Sequence, residues 1–252
     1  MGVLSQAEYD QGMIGGEGEQ HMQGIARSRS NPDVLYMAHD CAHLWRSGDN
    51  GLSWQRPSCE GLDVQAGESI EVDPLNPDRV FALVDNAYNY LLNSFRGLYR
   101  STDGGETWTL VLQKDLAHVR CDQHRVAYDP ASVSGGMAQR WYVAGADNAP
   151  GTGYTANNDA AIYSSDDGGD TWTKGASLVG HDWPAVIWCH PTDGQTLYVA
   201  SDEGLLVSHD RGATLSPLGN LPSGRVSGLA VNPQSPNDVW AVVLHVGLYR
   251  ST

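Results

Sequence analysis

The octapeptide STDGGETW at residues 101–108 is one of four segments in this 252-residue chain that share a single pattern. The pattern is Ser-x-Asp-x-Gly-x-(Thr/Ser)-Trp, and leucine replaces the tryptophan in the last copy. The other copies are SGDNGLSW at 47–54, SDDGGDTW at 165–172 and SHDRGATL at 208–215. Self-similarity of this kind is typical of repeat architectures, in which each repeat forms one supersecondary unit.

The residue types in the repeat predict a tight, hydrogen-bonded turn. An aspartate and a hydroxyl side chain can accept backbone amides across a turn, and glycine adopts a positive φ without strain. The tryptophan then returns to the core with a large apolar surface. We therefore predict a structural role for the repeated positions, which are Ser47, Asp49, Gly51, Trp54, Ser101, Asp103, Gly105, Trp108, Ser165, Asp167, Gly169, Trp172, Ser208, Asp210 and Gly212.

Three short apolar segments precede each octapeptide or lead into it, and a proline-containing turn separates the first two. One unit is therefore strand a, proline turn, strand b, loop, strand c, hairpin and strand d. A four-stranded antiparallel sheet of this kind is the blade of a β-propeller. The sequence predicts an all-β propeller with four complete blades and a partial fifth, at about residues 21–60, 66–115, 124–175, 184–218 and 226–252.

The hexapeptide GLYRST occurs twice, at 97–102 and at 247–252. Only the first copy runs on into an octapeptide, so we expect a fifth blade without its hairpin and outer strand. Two explanations stay open. Either the chain is a piece of a longer propeller, or residues 1–20 supply the outer strand of the last blade, within the chain or to a neighbouring molecule.

The charge and the hydrophobic pattern of the sequence argue against two classes of protein, those that bind nucleic acid and those that span a membrane. A formal net charge of −15 repels phosphate backbones, so nucleic acid is not an expected partner. No run of 18 apolar residues is present, which argues against a membrane span. No leader is visible at the N-terminus, yet we expect an extracellular or periplasmic protein from the function considered below. The four cysteines permit two disulfides in any of three pairings, or buried reduced thiols.

The four octapeptides resemble the Asp-box (BNR) repeats of sialidases, of two-propeller xyloglucanases, of sortilin-type receptors and of photosystem assembly propellers. The resemblance covers about residues 20–252 and implies the fold, whereas these families perform unrelated functions on one scaffold. The stretch YMAHDCAHLWR at 36–46 is similar to the opening unit of the xyloglucanases. That similarity implies that Asp40 is one of two catalytic carboxylates. In the xyloglucanases the second carboxylate comes from a second propeller, which this chain does not contain.

In a propeller blade the a–b turn and the c–d hairpin lie on one face, and the b–c and d–a loops lie on the other. We predict function on the second face, because loops carry binding residues. Two b–c insertions, at 86–96 and 147–159, are rich in tyrosine and asparagine, which stack on sugar rings and bind hydroxyl groups, although ordinary surface loops have the same composition. The predicted glycan-binding residues are Tyr88, Tyr90, Asn93, Tyr154, Asn157 and Trp183.

Acidic residues end strand b in several blades, and glycosidic hydrolysis needs two carboxylates that face each other across a cleft. Asp40 and Asp202 are the candidate catalytic pair, because each ends strand b of its blade. The alternative is that an aspartate at a strand end only caps a turn. We predict no metal site and no cofactor, since HDCAH at 39–43 and HVRCDQH at 118–124 lack converging ligands; calcium on loop carboxylates stays open.

Two functions follow from these features. The first is a secreted, glycoside-hydrolase-like propeller that binds a polysaccharide or oligosaccharide on its b–c and d–a loops. The alternative is a non-catalytic interaction or assembly propeller, in which an N-terminal strand or another chain completes the last blade. The alternative predicts a protein partner or self-association.

Overall fold

Antiparallel sheets make up the regular structure in a computed structural model of the chain. The structure describes residues 22–39, 44–62, 66–85, 97–113, 125–145, 160–178, 186–201 and 204–251. The fold is an all-β, five-blade β-propeller whose blades contain three or four strands. The predicted fold class is therefore confirmed.

The sheets follow one another along the chain, and within each sheet the strands are neighbours in chain order. The first sheet contains β1 (Met22–Arg27), β2 (Leu35–His39) and β3 (Leu44–Ser47); the second contains β4 (Ala66–Val72), β5 (Val80–Asp85), β6 (Gly97–Ser101) and β7 (Thr109–Leu112). The third contains β8 (Val126–Tyr128), β11 (Trp141–Gly145), β12 (Ala161–Ser165) and β13 (Thr173–Ser177), and its a–b connection includes a 3-10 turn (Pro130–Ser132) and the short hairpin of β9 (Val133–Ser134) and β10 (Met137–Ala138). The fourth contains β14 (Val186–Cys189), β15 (Leu197–Ala200), β16 (Leu205–Ser208) and β17 (Ser216–Pro217), and the fifth contains β18 (Val226–Val231), β19 (Val239–Val243) and β20 (Gly247–Ser251).

The central strands of the second, third and fourth sheets are apolar on both sides because each of these sheets lies between two neighbours. In β5, Val80, Ala82 and Val84 belong to the core shared with the first sheet, whereas Phe81 and Leu83 belong to the core shared with the third. A strand that is buried on both faces has a nearly continuous apolar sequence instead of a strict alternation. Two further cores join the third sheet to the fourth and the fourth to the fifth.

The number of complete blades is not confirmed. The first sheet contains three strands, and its predicted outer strand is reduced to a single bridge in which Arg46 and Gln55 exchange backbone hydrogen bonds of 2.8 Å. The fifth sheet also contains three strands among the described residues. Residues 1–20 lie outside the described ranges, so the prediction that they form an outer strand stays a prediction.

A buried ion pair joins the second sheet to the third. The guanidinium of Arg79 donates to Asp73 at 2.9 Å, and both side chains are almost fully buried. Asp73 also accepts the backbone N–H of Ala138 at 3.0 Å, and Arg79 also donates to the carbonyl of Gly168. Because Ala138 and Gly168 belong to the third blade, this one network fixes the position of that blade against the second sheet.

Candidate functional site

The four octapeptides form the same hydrogen-bonded hairpin. In each one the serine hydroxyl donates to Oδ1 of the aspartate at 2.7–2.8 Å and accepts the N–H of the glycine at 2.8–2.9 Å. The aspartate also accepts the N–H and the hydroxyl of the serine or threonine four residues later, at 2.8–2.9 and 2.5–2.6 Å. The residue types of the repeat are therefore accounted for by contacts within the turn.

The hairpin carboxylates are held in their ionised form. A hydroxyl and an amide donated by Ser53 hold the pKa of Asp49 at about 2, and the same donors of Thr214 hold the pKa of Asp210 at about 2. At Asp167 desolvation is the largest single influence and raises the pKa, but the hydrogen bonds from Thr171, Ser165 and Asp170 together outweigh it, and the pKa is also about 2. A general acid needs a raised pKa, so these carboxylates are unsuited to proton donation near neutral pH.

The hairpins share one face of the propeller with the a–b turns. In each of four blades, the backbone N–H of the residue before the hairpin glycine donates to a carbonyl of the a–b turn at 2.7–2.9 Å. In the second blade, this bond runs from Gly104 to Asp78. The strand register places Val80 opposite Ser101 at this end of the sheet and Val84 opposite Gly97 at the other end. The b–c and d–a connections therefore leave the sheets at the face opposite the hairpins.

That opposite face is the candidate functional site. We define it by the described residues that end strand b or begin strand a, and we call it the loop face. Several of these positions carry polar side chains that are buried, which is unusual at the edge of a sheet and indicates a polar environment that excludes water. The described residues of the loop face with buried or half-buried polar side chains are Gln23, His39, Ser69, Arg125, Ser201 and Arg225.

Arg125 is the residue of the loop face that the sequence analysis missed. Its side chain is almost completely buried, and its backbone N–H donates to the hydroxyl of Ser69 at 3.1 Å, which links the second and third sheets. A buried guanidinium requires carboxylate or carbonyl partners. The dipeptide Arg-Val begins strand a at 125–126 and again at 225–226, and this repetition was a signal that could have identified both arginines.

The predicted catalytic and glycan-binding residues all lie outside the described residues. Apart from Trp183, which lies between β13 and β14, they belong to segments that follow β2, β5, β11 or β15, and each of these strands ends at the loop face. Their roles stay predictions. The residues concerned are Asp40, Tyr88, Tyr90, Asn93, Tyr154, Asn157, Trp183 and Asp202.

Described residues of the hairpin face line two hollows. One of them, a cavity of about 100 Å³, is lined by residues of strand a and the a–b turn from all five blades, including Arg29, Tyr128 and Trp188. That volume is below the roughly 300–1,000 Å³ of typical ligand pockets. A hollow of about 380 Å³ beside the first hairpin is lined by Asp49 and Glu106, and backbone and hydroxyl donors of Ser58 lower the pKa of Glu106.

Metal ligands and disulfides are absent from the described ranges. No group of three or more His, Cys, Asp or Glu side chains is placed there to hold an ion. Cys59 and Cys189 are free and buried, and burial raises the pKa of both thiols. Cys41 and Cys121 lie outside the described residues, so their pairing stays a prediction. Nor do the described residues include a helix with the length and hydrophobicity of a membrane span.

Comparison with known proteins finds xyloglucanases, although no protein-family model matches the chain. Xyloglucanase Xgh74A of Acetivibrio thermocellus is 30% identical over an alignment of 105 positions that covers 40% of this chain and 12% of that protein. A xyloglucanase of a Paenibacillus species is 24% identical over an alignment of 245 positions that covers 84% of this chain and 22% of that protein. The chain thus spans less than a quarter of either relative.

The solved structures that resemble the chain include a GH74 xyloglucanase from Xanthomonas campestris. The TM-score is 0.66 at 20% sequence identity, over 92% of this chain and 37% of that one. This likeness supports the propeller fold. With the two relatives, the chain is therefore a glycoside-hydrolase-like β-propeller that has xyloglucanase homologues and GH74 structural neighbours.

Proposed function

We propose that this chain is a secreted, carbohydrate-active propeller of the xyloglucanase type, which binds a β-glucan chain on its loop face. We also propose that its four hairpins are Asp-box repeats with a structural role. The observation that carries the proposal is that the hairpins lie on one face of the propeller, whereas the strands that flank the inserted segments end at the other. On the hairpin face the aspartates are satisfied by their own turns and stay ionised. The strands that flank the inserted b–c segments end at the other face, and the fold resembles that of a xyloglucanase.

The proposed roles follow the chemistry of the residues. Asp40 and Asp202 are the carboxylates of the reaction, one protonated to assist the leaving group and the other ionised. A separation of roughly 6.5–9.5 Å between them would give inversion, and about 5 Å would give retention. Arg125, buried at this face, is suited to hold a neighbouring carboxylate ionised, because a close cation lowers a carboxyl pKa.

Substrate binding is assigned to the inserted segments. The tyrosines Tyr88, Tyr90 and Tyr154 offer aromatic faces for pyranose rings, and Trp183 offers a larger one. Asn93 and Asn157 can donate to and accept from sugar hydroxyls. The neutral sugars of a xyloglucan suit a chain with a net charge of −15, because they are not repelled by it.

The test is the hydrolysis of soluble xyloglucan, measured as the release of reducing ends. Asp40→Asn should lower kcat by about 10²-fold or more, because it removes an ionisable group and leaves the shape of the side chain. Asp166→Asn is the matched control, since Asp166 is an exposed carboxylate on the hairpin face that pairs with Arg140. Equal activity of the two variants and the parent would remove Asp40 from the mechanism.

Binding is tested separately from catalysis. Tyr88→Ala and Tyr90→Ala should each weaken the affinity for a xyloglucan oligosaccharide by about two- to tenfold, which corresponds to the loss of one aromatic stacking contact. Isothermal titration calorimetry measures this effect even if the chain alone does not hydrolyse the glycan. Unchanged affinity in both variants would contradict the assignment of residues 86–96 to the glycan site.

A further inference from the structure

All five blades close their a–b turn with the same backbone hydrogen bond. The residue that follows strand a donates its N–H to the carbonyl of the residue that precedes strand b, at 2.9–3.0 Å in every blade. We call the residue that follows strand a the opening residue of the turn. The opening residues, in chain order, are Ser28, Asp73, Asp129, His190 and Asn232. The turns therefore share one frame and differ in the side chain at its first position.

The side chain of the opening residue accepts a second hydrogen bond within the turn. In the second, third and fifth blades a carboxylate or amide oxygen accepts the N–H of the residue two positions later, at 2.8–3.0 Å. In the first blade the hydroxyl of Ser28 accepts the N–H of Asn31 at 3.2 Å. These four turns therefore use an oxygen atom as the acceptor.

The fourth blade uses an imidazole nitrogen at this position. Nδ1 of His190 accepts the N–H of Asp193 at 2.9 Å and the N–H of Thr192 at 3.3 Å. An imidazole nitrogen accepts hydrogen bonds while it carries no proton, whereas both nitrogens are donors in the imidazolium form. Histidine is also the type of side chain whose charge ordinarily changes between about pH 5 and 8. A single proton can therefore remove the acceptor of this turn.

The carboxylate nearest to this imidazole is already engaged. Asp193 accepts the hydroxyl of Thr196 at 2.7 Å and the N–H of Gln195 at 3.0 Å. These donors lower the pKa of Asp193, and the charges of His190 and His209 lower it further. Asp193 is therefore ionised when the imidazole binds a proton. A hydrogen bond from Nδ1–H to this carboxylate would compete with the bonds from Thr196 and Gln195.

The hairpin of the fourth blade places a second histidine beside the turn. Nδ1 of His209 lies 3.0 Å from the hydroxyl oxygen of Thr196, whose proton is donated to Asp193, so Nδ1 of His209 is the donor. His209 keeps this bond when both of its nitrogens are protonated. Arg211 of the same hairpin also faces the turn, since its backbone N–H donates to the carbonyl of Gln195 at 2.9 Å. The two histidines therefore respond differently to acid.

The charged groups of the neighbouring blades are paired with each other. Arg140 and Asp129 of the third blade are 3.0 Å apart, and Arg250 and Asp238 of the fifth are 2.6 Å apart. The third-blade pair also contacts the turn, because Arg140 donates to the carbonyl of Gly194 at 3.4 Å. A Cβ built on Gly194 would lie 2.7 Å from Oδ2 of Asp129. A change in the turn therefore reaches the third blade through Gly194.

We propose that the a–b turn of the fourth blade, residues 190–196, is a pH-sensitive switch that opens when Nδ1 of His190 binds a proton. In the closed turn Nδ1 holds the N–H groups of Thr192 and Asp193. In the open turn both groups are released, and Nδ1–H competes for the carboxylate of Asp193. The turn then loosens its contact with the third blade at Gly194. The switch is independent of the proposed glycan chemistry.

Acid weakens this turn and spares the other four. The two hydrogen bonds on Nδ1 contribute to the stability of the turn while the imidazole is neutral, and they are lost as the pH falls and the imidazole binds a proton. The turns with oxygen acceptors are expected to keep their hydrogen bonds over the same interval.

Amide hydrogen exchange of the whole chain tests the switch. Protection factors are compared at pH 8 and pH 5, so that the pH dependence of the intrinsic exchange rate cancels. We expect the protection of the Asp193 amide to fall by about five- to tenfold, which corresponds to the loss of one hydrogen bond. The amides of Leu75 and Ala131, which the carboxylates of the second and third blades hold, serve as internal controls. An equal fall at all three amides, or none at Asp193, would overturn the proposal.

NMR of the imidazole rings shows whether the proton binds. We expect the ¹⁵N signal of Nδ1 in His190 to move from the position of an unprotonated acceptor to that of a donor between pH 8 and pH 5, and the protection of Asp193 to follow the same curve. An imidazole that binds no proton in this interval would overturn the proposal. Two curves with different midpoints would overturn it as well.

Two substitutions separate His190 from its neighbour. His190→Asn copies the opening residue of the fifth blade, where the side-chain oxygen of Asn232 accepts the N–H of Gln234 at 3.0 Å. We expect this variant to keep the protection of the Asp193 amide at pH 8 and to lose its pH dependence. His209→Asn is the matched control and should leave the pH dependence intact. The proposal fails if His190→Asn retains the pH dependence or if His209→Asn abolishes it.

Discussion

The pentapeptide GLYRS occurs as β6 in the second sheet and as β20 in the fifth, and the two copies have the same conformation but different surroundings. Each begins with a glycine at a similar φ, +149° for Gly97 and +154° for Gly247. Leu98 is fully buried against the third sheet, whereas Leu248 is 62% exposed. The local sequence therefore determines the strand, and the neighbouring sheet determines what the strand buries.

The two arginines of these pentapeptides show the same difference. Arg100 reaches across to the hairpin of the third blade and is ion-paired with Asp170 at 2.6 Å. Arg250 turns back to Asp238 of its own sheet, also at 2.6 Å. An arginine at this position binds the next blade where one covers it, and otherwise binds its own sheet.

The largest expected difference in stability between the second and fifth sheets comes from substitutions in their a–b turns. Asp73→Ala should lower the free energy of unfolding by about 3–5 kcal/mol, because it leaves the buried Arg79 without its carboxylate. Asn232 occupies the equivalent turn of the fifth sheet and contacts Asp238 at 3.4 Å. Asn232→Ala should cost only about 0.5–1.5 kcal/mol. Urea denaturation measures both values, and similar losses would contradict the distinction.

Leu98 and Leu248, which occupy the same position in the two pentapeptides, provide the next comparison. Leu98→Ala should lower the free energy of unfolding by about 2–5 kcal/mol, because it opens a cavity between two sheets. Leu248→Ala should change it by at most about 0.5 kcal/mol. The two variants remove the same atoms from the same pentapeptide, so the difference measures the effect of the covering sheet. A loss of about 2 kcal/mol or more in Leu248→Ala would contradict the exposed position of Leu248.

The smallest expected effect is on the free energy of unfolding at acid pH. It compares a hairpin carboxylate of the third blade with a carboxylate of the fifth blade. The pKa of Asp167 is about 2 in the folded chain and about 3.8 when unperturbed, so its stabilising contribution is complete above pH 4 and is lost as the pH falls through 2. Arg250 lowers the pKa of Asp238 in the fifth sheet as well, but the Arg250 side chain is half exposed, so solvent screens this ion pair. Asp167→Asn should therefore flatten the dependence of stability on pH between 4 and 2 more than Asp238→Asn does. Equal slopes would contradict the structural role of the hairpin carboxylate.

The fold was predictable because its signal is local and repeated. The octapeptides contain their own hydrogen-bond partners, so Asp103, Ser101 and Gly105 could be assigned to one turn from their types alone. The apolar segments between them then fixed the strands. The outer strand of the first blade was harder to predict, because it consists of one bridge at Gln55 and no periodic pattern marks it.

The candidate site was less predictable for a physical reason. Whether a residue at a strand end is buried depends on the neighbouring blade, as the difference between Leu98 and Leu248 shows for identical pentapeptides. The buried position of Arg125 depends in the same way on the second sheet, whose Ser69 accepts its backbone N–H. The pairing of Asp40 with Asp202 stays a prediction, since both lie outside the described residues.

The most direct test of the central claim, that ligands bind the loop face and not the hairpin face, is an NMR titration of the isotope-labelled chain with a soluble xyloglucan oligosaccharide. The amide signals of His39, Gly145 and Ser201 report on the loop face, and those of Asn50 and Gly168 report on the hairpins. We predict saturable shifts in the first group and unchanged signals in the second. Shifts centred on the hairpins, or no shifts at saturating oligosaccharide, would contradict the claim.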